Sequence, residues 1–186
     1  MGNVNTQILD KFESVLEAGL LKVCNGAGIL DEMLESPDIT ETWDRYAKDY
    51  VADAVENFNQ YPEAAVGFAS FLGMAVANNW DSDWNAHKDD SYQSYYGSRG
   101  FDNMDDHIVE DILHLKVDYG KKVSDTMMSC AIAALGLISH EGIETQTELG
   151  FYILNRCYSV MFRIGAAVEL QRSGYKKTQF PTPHLG

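Results

Sequence analysis

Carboxylates and imidazoles gather in two places along this 186-residue chain, and both suit metal chemistry. In the stretch NNWDSDWNAHKDD, residues 78–90, Asp81, Asp83 and Asn85 alternate as calcium ligands do, and Asp89 stands at the ninth position of such a loop. Two parts of that loop are missing. Ala86 occupies the place of the glycine that makes the sharp turn, and Tyr92 occupies the place of the bidentate glutamate. The second pattern would suit zinc, iron or manganese. On a helix Asp83 and His87 share a face, as do His107, Asp111 and His114, and two such helices facing each other can close a His/carboxylate site inside a bundle. The E-x-x-H pairs of di-iron bundles and the HExxH of zinc proteases are both lacking, and DDHIVEDILH is acidic enough to be a solvated helix face. A divalent metal is the one cofactor the sequence admits, and none is otherwise expected.

Covalent and phosphate chemistry have less to stand on. There is no GxSxG, no glycine-rich phosphate loop and no dinucleotide fingerprint. Cys24, Cys130 and Cys157 each lie in an apolar, helix-patterned stretch without CxxC spacing, so they read as small core residues in a reducing, cytoplasmic setting.

A recognition surface has a better candidate in SYQSYYGSRGFDN, which follows the aspartates. Tyrosine offers large contact area with little rotamer entropy to lose, and Gly97 and Gly100 let the backbone bend. The residues singled out for partner or ligand contact are Trp84, Tyr92, Tyr95, Tyr96 and Arg99. On that reading Tyr95→Ala or Tyr96→Ala weakens association and spares stability. The competing arrangement packs the same rings over the helix ends as a lid.

The elements that must position these residues are helical. Apolar positions recur at three and four residues, and strand alternation is absent. The expected fold is an all-α, single-domain bundle of about five to seven helices spanning 1–186, with an irregular C-terminal tail from about 174. A first helix runs from about Thr6 to Val23, and a short one continues to about Leu34. Thr40 caps the next, whose core face is Trp43, Tyr46, Ala47, Tyr50, Val51 and Ala54. Pro62 starts a central helix through about Asn79, on which Ala65, Ala69, Gly73 and Ala77 form a strip of small residues that another backbone can approach. SCAIAALG and IGAAV are the natural neighbours of that strip. Asp102 and Asp105 open a helix carrying His107 to Tyr119, and Gly120 bends or breaks it. Another helix reaches about Ser139, and Thr145 with Glu148 caps a last one ending near Ser173.

The formal net charge of −14 is concentrated in the N-terminal three-fifths. Such a surface repels phosphate backbones and anionic lipid heads, so neither nucleic acid nor membrane is an expected partner. MGNVNT matches the myristoylation pattern, but Lys11 is the only base nearby to reinforce a lone acyl chain. The leading expectation is a non-catalytic bundle that binds a protein or small ligand, or associates with itself as a homo-oligomer, through residues 80–101. The alternative is a metal-dependent enzyme or metal-binding protein using Asp83, His87, His107, Asp111 and His114.

Overall fold

The computed structural model describes residues 4–175; the N-terminal acylation pattern and most of the expected tail therefore lie outside the described residues. The chain is a single all-α domain of six α-helices, and no strand occurs among the described residues. The helices are α1 (Thr6–Gly26), α2 (Pro37–Phe58), α3 (Pro62–His87), the one-turn α4 (Met104–His107), α5 (Val117–His140) and α6 (Glu148–Arg172).

Helix α1 starts where the Asn5 side chain accepts the N–H of Gln7 at 2.9 Å, and it buries Leu9, Phe12, Leu16, Leu20 and Cys24, one residue per turn. The short helix expected up to Leu34 does not form. After Gly28, which has a positive φ of 74°, the chain runs irregularly and buries Ile29, Leu30 and Leu34 without helical hydrogen bonds. Its backbone is held by tertiary partners instead, since Gln171 of α6 accepts the Asp31 N–H at 2.7 Å. Pro37 then opens α2, with Ser36 in the N-cap position. Thr40 is not the cap; it lies inside the first turn and its hydroxyl donates to the Ser36 carbonyl.

Helices α3 and α6 form the middle of the molecule. Every residue of α3 from Ala65 to Ala77 is buried, and α6 is buried almost without interruption from Val160 to Leu170. The two backbones touch. A Cβ placed on Gly73 would lie 2.0 Å from the Phe162 carbonyl oxygen, and one on Gly165 would lie 1.8 Å from the Ser70 carbonyl oxygen. Helix α5 packs on another side of α3, with Ala131 next to Gly67. α3 also runs about two turns past its expected end, because Trp80 and Trp84 extend its contact with the core and the Trp80 indole donates to Asp38 at 2.9 Å.

The helix expected from His107 to Tyr119 is interrupted. α4 continues into one π turn, Ile108–Ile112, after which His114 takes a positive φ of 48° and the chain reverses into α5. Gly120 does not break a helix; its missing side chain lets the start of α5 close on Val109, 3.2 Å from where a Cβ would be. At the start of α6 the cap is Thr147, which accepts the Gly150 N–H at 3.0 Å, rather than Thr145. The backbone before it folds so tightly over Gly150 that no side chain fits there.

Candidate functional site

The tyrosines of the connection after α3 turn inward. Two 3₁₀ turns, Tyr92–Tyr95 and Phe101–Asn103, lay their rings on Tyr46 and Tyr50 of α2, with Tyr46–Tyr95 centroids 6.0 Å apart and Tyr50–Phe101 centroids 5.8 Å apart. Hydrogen bonds fix this lid. Tyr92 donates to Asp53 at 2.7 Å, Tyr96 donates to the same carboxylate oxygen, Tyr46 donates to the Asp90 carbonyl, and the Asn79 amide donates to Tyr95 at 3.0 Å. Tyr92 is 1% and Tyr95 3% exposed, so neither ring presents a surface to a partner, and for Tyr95 the arrangement seen is the packed lid. Of the five residues singled out for contact, Tyr96 and Trp84 are half-buried and Arg99 alone is exposed.

The lid has a consequence for alkaline stability. Burial, reinforced by Asp53, pushes the Tyr96 hydroxyl up to about 12, and burial raises Tyr92 and Tyr95 as well. Folded values above the unfolded value of about 10 contribute stability that is fully present below pH 10 and is lost as pH rises through the folded values. Absorbance at 295 nm is expected to show a class of tyrosines that ionise only together with the loss of helical circular dichroism. Normal titration of all ten tyrosines in the folded protein would contradict the lid.

The metal candidates are held as separate pairs. His87 meets Asp90 at 2.8 Å, and His107 meets Asp111 at 2.9 Å. Asp83 leaves helical geometry (φ −157°, ψ 78°), and its carboxylate accepts the Ala86 N–H at 3.2 Å. His114 stands at the turn into α5. Residues 81–87 stay on α3 across a kink at Asp83. Among the described residues no three His, Cys, Asp or Glu side chains converge as metal ligands.

The cysteines are all buried and free. Cys24 of α1 and Cys130 of α5 approach to 3.7 Å between sulfurs, and the hydrogen bond to Cys24 together with burial holds the Cys130 thiol above its ordinary value. Burial alone pushes Cys157 up to about 12. The hydrogen bond to Cys130 lowers Cys24, but all three thiols are 0% exposed, so access decides and a chromogenic disulfide reagent is expected to label no cysteine until the protein unfolds. Rapid labelling of the native protein would contradict that packing.

An uncommitted concave surface lies elsewhere, between α2 and the first half of α6. A hollow of about 330 Å³ is lined by Val55, Phe58, Thr145, Phe151, Leu154 and Tyr158. A second, of about 440 Å³, is lined by Trp43, Ala47, Lys48, Val51, Phe151 and Asn155 among others. Phe151 borders both, so they form one trench with that ring standing in its middle. Val55 is 55% and Phe151 41% exposed, and Tyr152 is exposed beside them. Around this apolar surface two polar atoms are closed off from water without a hydrogen-bond partner, the Tyr158 hydroxyl and the Asn155 side-chain oxygen. On the α1 side of α6, Arg156 pairs with Asp10 at 2.9 Å and with Glu13, and Arg163 pairs with Glu13 and Glu17 at 2.7 and 2.8 Å. Those two cations are paired within the fold, which leaves Lys48 as the charged group at an otherwise apolar and hydrogen-bonding trench.

Reading the sequence missed this surface, although it left a signal. Phe151 and Tyr152 are adjacent on a helix and cannot share one buried face, and Val55 falls outside the face of α2 set by Trp43, Tyr46, Tyr50 and Ala54. Comparison of the chain with known protein families, curated proteins and solved structures finds no match.

Proposed function

We propose that this protein is a non-catalytic binding protein whose working surface is the trench between α2 and α6, and that its partner is a protein contributing an amphipathic helix. The observation that carries the reading is the apolar lining that stands in solvent along the trench, Val55 at 55% and Phe151 at 41% exposed on an otherwise acidic protein. The dimensions support a helix as occupant. The α2 wall from Trp43 to Phe58 spans roughly 22 Å at about 1.5 Å per residue, which is four helical turns, and the hollows on either side of Phe151 suit two apolar anchors of such a helix.

The test is selection from a phage-displayed library of amphipathic helical peptides of about four turns against the folded protein. Selected peptides are expected to lose at least about tenfold in affinity on Phe151→Glu or Val55→Glu, substitutions at exposed positions that leave the fold intact. Peptides indifferent to both substitutions, or a library yielding no binder, would overturn the reading.

A further inference from the structure

Two of the three cysteines meet inside the fold, although 106 positions separate them along the chain. Cys24 sits in the last turn of α1, Cys130 lies in the middle of α5, and their sulfurs are 3.7 Å apart. A disulfide needs its sulfurs at about 2 Å, so closing the pair asks for a movement of under about 2 Å, shared between two side chains. The end of α1 can supply it. Gly26 has open space where a Cβ would stand, Gly28 turns the backbone through a positive φ of 74°, and the stretch that follows is irregular rather than helical.

The two thiols differ in character. One hydrogen bond between them holds Cys24 below its ordinary value, against the effect of burial, and holds Cys130 above it. Cys24 is therefore the sulfur that supplies thiolate, and Cys130 stands beside it as a thiol. Both are fully buried, which shuts out bulky reagents. Hydrogen peroxide is close to water in size, and it can enter when the last turn of α1 opens locally, as helix ends do at far lower cost than the whole fold. Cys157 on α6 is pushed up to about 12 by burial alone, so it stays a thiol.

We propose that Cys24 and Cys130 are a redox pair, and that hydrogen peroxide converts them into a disulfide joining α1 to α5. The Cys24 thiolate attacks one peroxide oxygen, the O–O bond breaks, and the departing hydroxide takes the proton that Cys24 gave up and leaves as water. The Cys130 sulfur then attacks the sulfenic acid formed on Cys24. The S–S bond forms, and the hydroxyl on Cys24 leaves with the Cys130 proton as a second water. Two thiols lose two electrons, and one peroxide is reduced to two waters. A bond across 106 positions closes a long loop in the unfolded chain, so the cross-linked protein is the more stable of the two forms. The pair lies where α1 meets α5, apart from the α2–α6 trench, and its test does not touch that reading.

The test treats the reduced, folded chain with hydrogen peroxide, quenches it, unfolds it and counts its thiols. Of the three cysteines one is expected to remain titratable. The mass is expected to fall by about 2 Da, a peptide joining Cys24 to Cys130 to appear, and dithiothreitol to restore every thiol. The melting midpoint is expected to rise by about 5 °C or more. Cys24→Ser and Cys130→Ser, close to cysteine in size, are expected to show neither cross-link nor rise, while Cys157→Ala shows both. Recovery of three thiols after peroxide that fully oxidises the unfolded chain would overturn the proposal. So would oxygen adducts without a cross-link, a cross-link through Cys157 or between two chains, or a midpoint that falls on oxidation.

Discussion

Gly165→Ala is expected to cost the protein more than about 3 kcal/mol, a large share of the about 5–15 kcal/mol that a domain has. The reason is geometric. Alanine is ordinarily the better helix former by about 1 kcal/mol, so helix propensity alone would make this change stabilising. Yet the new methyl would sit 1.8 Å from the Ser70 carbonyl oxygen, and that atom is backbone in the middle of a buried helix. It can move only if α3 and α6 separate, which loosens the packing of both buried helices. Gly73→Ala meets the Phe162 carbonyl at 2.0 Å and is expected to behave alike. Gly136→Ala supplies the contrast, because its Cβ enters open space and the single chain should keep or gain stability. Urea unfolding of the three variants decides the point. Equal stability for Gly165→Ala and Gly136→Ala would mean that the two central backbones do not touch.

Tyr92→Ala is expected to be nearly as damaging, at about 3–5 kcal/mol. Its ring contacts those of Tyr46, Tyr50 and Tyr96, and its hydroxyl is one of the two that hold Asp53. Tyr92→Phe removes only the hydroxyl, and Tyr96 still donates to the carboxylate, so about 1–2 kcal/mol is lost. Arg99→Ala, on the exposed side of the same connection, is expected to fall within about 0.5 kcal/mol of wild type. Chemical denaturation of the series measures all three. A Tyr92→Ala protein as stable as Arg99→Ala would place the ring in solvent, where a partner could reach it.

Helical periodicity made the element types legible, and it worked best where one face is buried and the other is not. Leu9, Phe12, Leu16 and Leu20 mark α1 this way, and Trp43, Tyr46, Tyr50 and Ala54 mark α2. It failed where tertiary contacts replace local ones. Ile29, Leu30 and Leu34 have enough apolar character for a short helix, but the Asp31 backbone is held by Gln171, far away in sequence. Thr145 has the capping-box spacing with Glu148, but the fold over Gly150 puts the cap at Thr147. The tyrosine connection reads equally as recognition loop or as lid because composition is the same in both. Asp53, almost forty residues upstream of Tyr92, supports the lid by taking two of its hydroxyls. What lies beneath the trench was invisible for a related reason. An unpaired hydroxyl on Tyr158 is a property of its surroundings, and nothing in NRCYS distinguishes it from a satisfied one.

The binding surface assigned to α2 and α6 rests on apolar side chains that stand in solvent, Val55 and Phe151 above all, and the affinity of selected helical peptides for Phe151→Glu against the wild-type chain tests it most directly. A loss of about tenfold or more, about 1.4 kcal/mol, with unchanged circular dichroism is the expected result. Equal affinity for the two proteins would contradict the account.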